Sequence, residues 1–523
     1  MSDTSPTSPG SVIEDAFERM KHNIVHQNIV PYKFHPKESD FEPEGRDTGH
    51  PIVGIITIQE VKALQVPGST LKKNPEAFSI NVDADGTTTI KVISTQGALH
   101  ALQTFSQLFF AHSDESLGIY SPYAPLSILD SPNFSHRGLN LDISRNWIPP
   151  RDVMRTIEAM AATKLNKLHL HASDAQSWPL EIPALPELAV KGAYSPSQTW
   201  TVADLEDVQR HGQSHGVEVF LEIDLPGHTT AIGLAYPDLV TAANEEMWSE
   251  YALQPPSGQL KLNSSEVIRF ISTLLGDLLP RTAPWTSKFH IGGDELNLHA
   301  YTLDPTVRSS LPKVLQPLVQ AFVDHVISTT QSHGLQPIVW EEMLLDWNLT
   351  LPKTITVQTW RSTSALNSVL AKGHKALFGS SSHWYLDCGF GFYVDPNLQN
   401  PDLADPERQV KPPYLDYCSP YKNWRHIYSY NPLEGIKQEH RHLIVGGEVH
   451  LWAELTDSVT LDFKLWPRVA AAAEVMWSGT GKMADEDTTR RLAEFRERLV
   501  ASGVRADMVQ MEWCLRNEGG CTL

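Results

Sequence analysis

The sequence has few cysteines, few basic residues and no apolar run of the roughly 18 residues that a membrane span needs. Its 42 Lys and Arg face 62 Asp and Glu, for a formal net charge of −20. Such a surface repels phosphate backbones and anionic lipid, so we expect neither a nucleic-acid partner nor a membrane partner. The opening residues, MSDTSPTSPG, also lack the basic and apolar blocks of a secretory signal, which taken alone indicates a cytosolic protein.

The four cysteines favour an oxidising compartment rather than the cytosol. Cys388 and Cys418 bracket one long segment, and Cys514 and Cys521 enclose a short C-terminal loop, so they look like two local disulfides. Four cysteines allow three connectivities, and four free buried thiols are the alternative. Disulfides and glycosylation sequons together favour a secreted, extracellular or vacuolar protein whose leader is not visible in this chain. The sequons begin at Asn133, Asn263 and Asn348.

The sequence contains enough apolar residues for a packed core, because 41% of its residues are hydrophobic and 20% are charged. The length of 523 residues favours two domains. Residues 1–20 are rich in Ser and Pro and are predicted to be flexible. Short strands around Phe78–Val82 and an amphipathic helix over Gln96–Phe110 predict a small, non-catalytic α+β domain over 21–130.

Residues 131–523 alternate strand-like and helix-like runs, which predicts an α/β fold with eight strands. That count is typical of a (β/α)8 TIM barrel, and a doubly wound open sheet is the alternative. Ionisable residues crowd the predicted strand ends, which would converge on one mouth of a barrel. Before the last strand, an aromatic-rich insertion at about 382–442 is long enough to be functional.

The segment His290-Ile-Gly-Gly-Asp294-Glu295 ends the fourth predicted barrel strand. Adjacent carboxylates on a regular strand point to opposite faces, but two glycines before them could turn both into the mouth. Glycosidic cleavage needs one protonated carboxyl and nearby negative charge, and two carboxylates in one pocket push their pKa values apart. The alternative is an ordinary solvated Asp-Glu pair.

Two histidine-containing segments flank this pair. His169 and His171 alternate on one strand before Asp174, and His228 follows a Pro-Gly turn that could aim it back into the mouth. One interpretation is that the histidines orient Asp174, with His228 relaying between Asp174 and Glu295. The other is a divalent-metal site of the kind found in barrel amidohydrolases. Three tryptophans near strand ends could stack on a sugar ring, namely Trp340, Trp360 and Trp452.

These motifs together resemble the family 20 glycoside hydrolases, the β-N-acetylhexosaminidases, and in particular its secreted fungal members. The resemblance covers roughly residues 50–505. It is carried by HRGLNLDISRNW (136–147), NKLHLHASDAQSWP (166–179), EIDLPGH (222–228), HIGGDELN (290–297) and GGEVHLWAE (446–454). It implies a small α+β domain before a (β/α)8 barrel, as predicted above.

The resemblance also implies site roles. Asp294 would orient and stabilise the substrate's 2-acetamido group, and Glu295 would be the general acid/base supported by Asp174 and His228. Arg145 would hold the C3 and C4 hydroxyls. Tyr385 and Asp387 would touch the acetamido group, Glu454 would lie near C4 and C6, and Trp340, Trp360 and Trp452 would form an aromatic box. The spacing of Cys514 and Cys521 is similar to the C-terminal disulfide of fungal members.

The implied reaction is exo-acting, retaining removal of terminal GlcNAc or GalNAc from chitooligosaccharides or glycoconjugates through an oxazolinium intermediate. It requires no metal or cofactor, its partner is a β-linked N-acetylhexosamine-terminated glycan, and a homodimer is compatible with the family. Two other hypotheses are a metal-dependent barrel hydrolase using His169 and His171, and a non-catalytic sugar-binding protein. Two departures from the family pattern are Ala175, after the relay aspartate, and His450 in the last strand.

Overall fold

The computed structural model describes residues 9–36, 39–43, 51–64, 74–395 and 415–522. The two largest hydrophobic clusters of this part of the chain lie under an N-terminal sheet and, with many more residues, in and around a barrel. The described helices are α1 Pro9–His26, α2 Thr95–Ser106, α3 Pro150–Ala162, α4 Glu187–Gly192, α5 Val202–His215, α6 Thr230–Ala235, α7 Trp248–Tyr251, α8 Ser265–Thr282, α9 Pro312–Ser332, α10 Glu341–Leu345, α11 Thr363–Ala371, α12 Ser381–Trp384, α13 Trp424–Tyr428, α14 Leu461–Leu465, α15 Arg468–Ser478, α16 Glu486–Ala501 and α17 Glu512–Arg516.

The strands fall into one N-terminal sheet, one barrel and two short ribbons. Outside the barrel they are β1 Ile56–Glu60, β2 Phe78–Val82, β3 Thr88–Val92, β4 Phe110–Ala111, β5 Ile119–Tyr120, β6 Leu126–Asp130, β10 Val240–Thr241 and β11 Gln259–Leu260. In the barrel they are β7 His136–Asp142, β8 Lys167–His171, β9 Glu218–Glu222, β12 Lys288–His290, β13 Gln336–Trp340, β14 Thr356–Thr359, β15 Lys375–Phe378 and β16 Ile444–Leu451.

The N-terminal sheet has the order β1-β3-β2-β6, and β2 and β3 bury alternate residues against α2. Ser94 caps the start of α2 by accepting a hydrogen bond from the backbone N–H of Gly97. This is the small α+β unit that the sequence predicts before the barrel.

The chain start differs from the expectation of a flexible segment over residues 1–20. Pro9–His26 is the helix α1, while residues 1–8 lie outside the described residues. Val12, Ala16 and Met20 recur every fourth residue, so one face of α1 is apolar and is buried in the N-terminal cluster. The Ser and Pro content that indicated flexibility is confined to the residues before this periodic stretch.

The barrel closes in the order β12-β13-β14-β15-β16-β7-β8-β9, with every pair parallel. Closure confirms the (β/α)8 architecture and excludes the doubly wound sheet. Because all eight strands run the same way, their carboxyl ends share one mouth, and the segments after them can build a common site.

The cysteines form the two local pairs. Cys388 and Cys418 join across 30 residues of the insertion, and Cys514 and Cys521 join across 7 residues. The three sequon asparagines are exposed, so their glycosylation stays a prediction. No helix among the described residues has the length and apolarity to cross a bilayer.

Candidate active site

The turn after β12 brings the two adjacent carboxylates to the same place. Gly292 and Gly293 have φ values of 71° and 104°, and Glu295 has a φ of 50°. A Cβ at Gly292 would lie 1.9 Å from a carboxylate oxygen of Asp224, so glycine is required there. This irregular backbone breaks the alternation of a strand, and both Asp294 and Glu295 line one cavity.

That cavity lies at the carboxyl ends of the barrel strands and has a volume of about 380 Å³, a normal size for a small-molecule site. Its wall combines aromatic and ionisable side chains, and the guanidinium of Arg145 lies over the ring of Trp452 at 4.8 Å. Of the residues that the sequence predicts for the site, it is lined by Arg145, Asp294, Glu295, Trp360, Tyr385, Asp387, Trp452 and Glu454.

Trp340, Asp174 and His228 lie behind this wall. The Trp340 ring is 1% exposed and stands 6.1 Å from the ring of Trp452, so it supports the aromatic side from below. The rings of Trp360 and Tyr385 are nearly parallel at 6.1 Å and face the cavity. The predicted aromatic box therefore has two indoles and a phenol at its surface and a third indole beneath.

A line of ion pairs leads to Glu295. His228 Nδ1 is 3.0 Å from Asp174 Oδ1, and His228 Nε2 is 3.4 Å from Glu295 Oε2. The other oxygen of Asp174 faces Arg145 Nη2 at 3.0 Å. Asp174 is thus shared between the predicted relay histidine and the predicted sugar-binding arginine.

The surroundings set the charges along this line. Burial works to raise the pKa of Asp174, but Arg145 and His228 overcome it and hold that pKa well below the usual range. Burial likewise opposes charge on His228, but Asp174 and Glu295 raise its pKa well above the ordinary value. Asp174 is therefore an anion and His228 a cation, and the cation lies next to Glu295.

Asp294 is in a different environment. Burial raises its pKa well above the usual value, and the neighbouring carboxylates of Asp224 and Glu295 raise it further. Its carboxyl oxygen lies within 4.8 Å of one from Asp224. The side chain of Glu295 is 22% exposed and lies beside His228. Both acids line the cavity, but their neighbours differ, because Asp294 lies among carboxylates and Glu295 lies beside a histidine.

The histidines of β8 are engaged with carboxylates. His171 has Glu222 at 2.6 Å from Nδ1 and Asp174 at 2.8 Å from Nε2, so neither nitrogen is free to bind a metal. His169 lies between Glu222 and Glu448, at 3.1 and 3.0 Å. Donor atoms of His169, Glu222 and His290 do lie within 4.8 Å of one another, but all three residues are fully buried and none lines the cavity. This pairing supports the orienting role of the histidines.

Three acidic residues that the sequence analysis did not assign to the site support it. Glu222 accepts the indole N–H of Trp340 at 2.6 Å, and Glu342 accepts that of Trp360 at 2.8 Å. Asp224 accepts the backbone N–H of Gly293 at 2.8 Å and thereby fixes the turn before Asp294. A carboxylate at an inward position of an otherwise apolar strand, as in EVFLEID, is the signal that could have identified Glu222 and Asp224.

Comparisons with known proteins agree with this geometry. The chain matches the model of the glycosyl hydrolase family 20 catalytic domain over residues 134–480, and a β-acetyl hexosaminidase-like model over residues 2–108. It is 49% identical to a β-hexosaminidase of Arthroderma benhamiae over 98% of this chain and 85% of that protein. It is 31% identical to β-hexosaminidase 1 of Coccidioides posadasii, over 86% of this chain and 78% of that one.

A solved structure shows the same fold. An exo β-N-acetylglucosaminidase from Vibrio harveyi, determined in complex with N-acetylglucosamine, superimposes with a TM-score of 0.74. It is 21% identical, and the match covers 96% of this chain and 74% of that one. At that identity the likeness supports the barrel and the preceding domain.

Proposed function

Because the chain belongs to glycosyl hydrolase family 20 and is a glycoside hydrolase, we propose that it removes single terminal GlcNAc or GalNAc residues from glycans with retention of configuration. The observation that carries this proposal is the shared cavity of Asp294 and Glu295, with Glu295 backed by His228 and Asp174. A cavity of this size suits one sugar ring, which fits release from chain ends.

Glu295 is the proposed general acid/base. It is the cavity-lining carboxyl that lies next to His228, and protonating a leaving oxygen turns it into an anion. The imidazolium of His228, 3.4 Å away, stabilises that anion electrostatically. Asp174 holds His228 in its charged form, so the pair supports the charge that develops when the proton leaves.

The proposed nucleophile is the substrate's own acetamide oxygen, as in the substrate-assisted exceptions among retaining glycosidases. Intramolecular attack benefits from proximity if the acetamide is held against the anomeric carbon. Tyr385, Trp360 and Trp452 form a wall able to hold it, and Asp294 lies in the same cavity. The positive charge of the resulting oxazolinium lies near Asp294 and lowers the pKa that burial and the neighbouring carboxylates raise. Water, deprotonated by Glu295, then attacks the anomeric carbon and breaks its bond to the acetamide oxygen.

The stereochemical outcome tests the proposed mechanism. The protein is given an aryl β-N-acetylglucosaminide and the matching galactosaminide, and the anomeric proton of the first product is followed by NMR. The β-anomer is expected for both sugars, because each of two displacements inverts the anomeric carbon. If the α-anomer is released first, the oxazolinium route is wrong.

Replacing Glu295 tests the proposed acid/base. Glu295→Gln keeps the shape of the side chain but removes its proton transfer, so kcat on the aryl glucosaminide should fall by about 10³-fold or more. Glu266→Gln, an exposed glutamate on α8, is the matched control and should keep full activity. Near-normal turnover by Glu295→Gln, with an unchanged unfolding midpoint, would contradict the assignment.

The remaining expectations concern the substrate and compartment. Chitooligosaccharides and N-acetylhexosamine-terminated glycoconjugates both offer the terminal sugar that the cavity fits. Two disulfides and three exposed sequon asparagines support an oxidising compartment and a secreted or vacuolar location. A sugar-binding protein without activity would be recognised by binding of GlcNAc with no turnover of either aryl glycoside.

A further inference from the structure

Four buried side-chain atoms on residues lining the cavity have no hydrogen-bond partner among the described residues. They are Arg145 Nε, Gln254 Oε1, Asp294 Oδ1 and Asp387 Oδ1. Buried polar atoms are nearly always satisfied by protein, water or ligand, so unsatisfied atoms in a cavity wall indicate ligand contacts. Three of these atoms belong to residues that are already proposed to bind the sugar. The fourth belongs to Gln254, which lies outside the sequence motifs described above.

Gln254 is held in place by its neighbours. It lies in the loop between α7 and β11, and the side chain of Gln176 donates to the backbone carbonyl of Pro255 at 2.8 Å. The Gln254 amide nitrogen donates to Glu454 Oε1 at 3.1 Å. These contacts fix both the loop and the side chain at the cavity wall.

The same contacts define which amide atom is available. In this contact the NH2 group of Gln254 is the donor and Glu454 Oε1 is the acceptor, so the amide oxygen of Gln254 points away from Glu454. That oxygen can therefore accept a hydrogen bond, and a sugar hydroxyl is the donor that a glycan would bring into this cavity.

We propose that Gln254 is a specificity-determining residue whose amide oxygen accepts a hydrogen bond from a hydroxyl at the C4–C6 edge of the terminal sugar. Its amide nitrogen orients Glu454, the residue proposed to lie near C4 and C6. Arg145, proposed for the C3 and C4 hydroxyls, has its Nε 3.8 Å from Glu454 Oε1, so the three side chains form one continuous polar edge. The assignment of Gln254 to the C4–C6 edge rests on the proposed function, which sets how the sugar is oriented in the cavity.

The test pairs one substitution with substrates that lack single hydroxyls. Gln254→Met keeps the length of the side chain and removes both amide atoms. It is compared with the unmodified protein on aryl glycosides of GlcNAc, 4-deoxy-GlcNAc and 6-deoxy-GlcNAc. The loss in kcat/KM should be about ten-fold on the parent glycoside, the size of one or two hydrogen bonds, and within two-fold on the deoxy sugar that lacks the partner hydroxyl. Gln331→Met, at an exposed position of α9, is the matched control.

A loss of equal size on all three glycosides would overturn the proposal, because it would mean that Gln254 acts only through Glu454 and the loop. Binding of free GlcNAc and its two deoxy analogues, measured by calorimetry, provides a readout independent of turnover. If the unmodified protein binds GlcNAc without hydrolysing the aryl glycoside, the proposed function fails. The role of Gln254 is still supported in that case if Gln254→Met weakens the binding of GlcNAc but not the binding of the deoxy sugar that lacks the partner hydroxyl.

Discussion

Individual buried acids in this molecule differ in charge because their partners differ. Glu342 accepts the indole N–H of Trp360, and the nearby cation, Arg361, pairs with Glu341 instead. Burial, together with the carboxylates of Asp294 and Glu341, raises its pKa to about 9. Glu342 is therefore protonated at neutral pH and acts as an uncharged acceptor for the indole.

Glu342→Gln should stabilise the protein at pH 7. An acid whose pKa is raised on folding must take up a proton to fold at neutral pH, and the amide avoids that requirement. We expect the free energy of unfolding to rise on the order of 2 kcal/mol at pH 7 and to change less at pH 4, where the unfolded glutamate is also largely protonated. Denaturant unfolding at the two pH values measures the difference. Glu342→Ala, which removes the acceptor of Trp360, is the contrasting variant, and a larger gain at pH 4 than at pH 7 would contradict the explanation.

His450 shows how a departure from the family pattern is accommodated. It lies on β16, fully buried, with its ring 4.9 Å from Tyr385 and 5.9 Å from Trp340, and it does not line the cavity. Burial lowers its pKa to about 3, so it is neutral. The residue thus supports the aromatic wall from behind, and its effect on sugars beyond the first would have to act through those rings.

At the scale of elements, the insertion before β16 depends on one disulfide. Cys388 directly follows Asp387, and Cys418 directly follows Tyr417, so the bridge ties together the segments that carry these two cavity-lining residues. The other disulfide closes a short loop at the C-terminus, and neither its cysteines nor the residues next to them line the cavity. The two bridges therefore allow a matched comparison.

The Cys388→Ser, Cys418→Ser variant should raise KM for the aryl glycoside and lower stability by about 4 kcal/mol, the value expected for a loop of this length. The Cys514→Ser, Cys521→Ser variant should leave KM unchanged. Steady-state kinetics and thermal unfolding of both variants give the comparison. Equal effects of both pairs on KM would show that the insertion bridge has no particular role in the cavity.

The shortness of β12 is a second feature at this scale. The sequence predicts a strand up to Glu295, but the regular strand ends at His290, and backbone hydrogen bonds to the neighbouring strands continue only to Ile291 and Gly292. The difference follows from the positive φ angles of Gly292 and Gly293, which no regular strand contains. Early termination is what lets Asp294 and Glu295 face the same cavity.

At the scale of the whole molecule, several buried groups in and near the barrel hold protons above neutral pH. The same groups release those protons in the unfolded chain. Glu448 and Glu222 overcome the opposing effect of burial and raise the pKa of His169 to about 9, and His171 and His228 are raised well above their usual value. Burial also raises the pKa of Asp387, to about 8, with Glu454 adding to the effect. All of these groups hold a proton in the folded state that the unfolded chain has released.

The thermal midpoint should therefore fall as the pH rises from about 6.5 to 9. A histidine with a raised pKa contributes stability that is complete below its unfolded pKa of about 6.5 and is lost as the pH passes its folded value. The expected loss is on the order of a few kcal/mol in total. Calorimetry at intervals across this range measures it, and the slope should be shallower in Glu342→Gln. A midpoint that increases toward pH 9 would contradict the charge states described above.

Several features of the site were predictable because they depend on neighbours along the chain. The strand and helix periodicity predicted a closed barrel, and the residues after its strands predicted the mouth. The glycines before Asp294 predicted the turn. The Pro-Gly before His228 predicted that it could return toward Asp174, which it contacts at 3.0 Å. The local cysteine pairs were likewise visible as spacing.

Other features depend on which strands become neighbours after the barrel closes. The contact of Glu222 with Trp340 joins β9 to β13, and that of Gln254 with Glu454 joins a loop after α7 to the end of β16, 200 residues away. The charges of Asp174, His228 and Asp294 also depend on such partners, because burial and nearby charge set a pKa only once the chain is folded. The sequence by itself determined the barrel and the identity of its acids, and only the tertiary structure decided which acids keep their protons and which face the ligand.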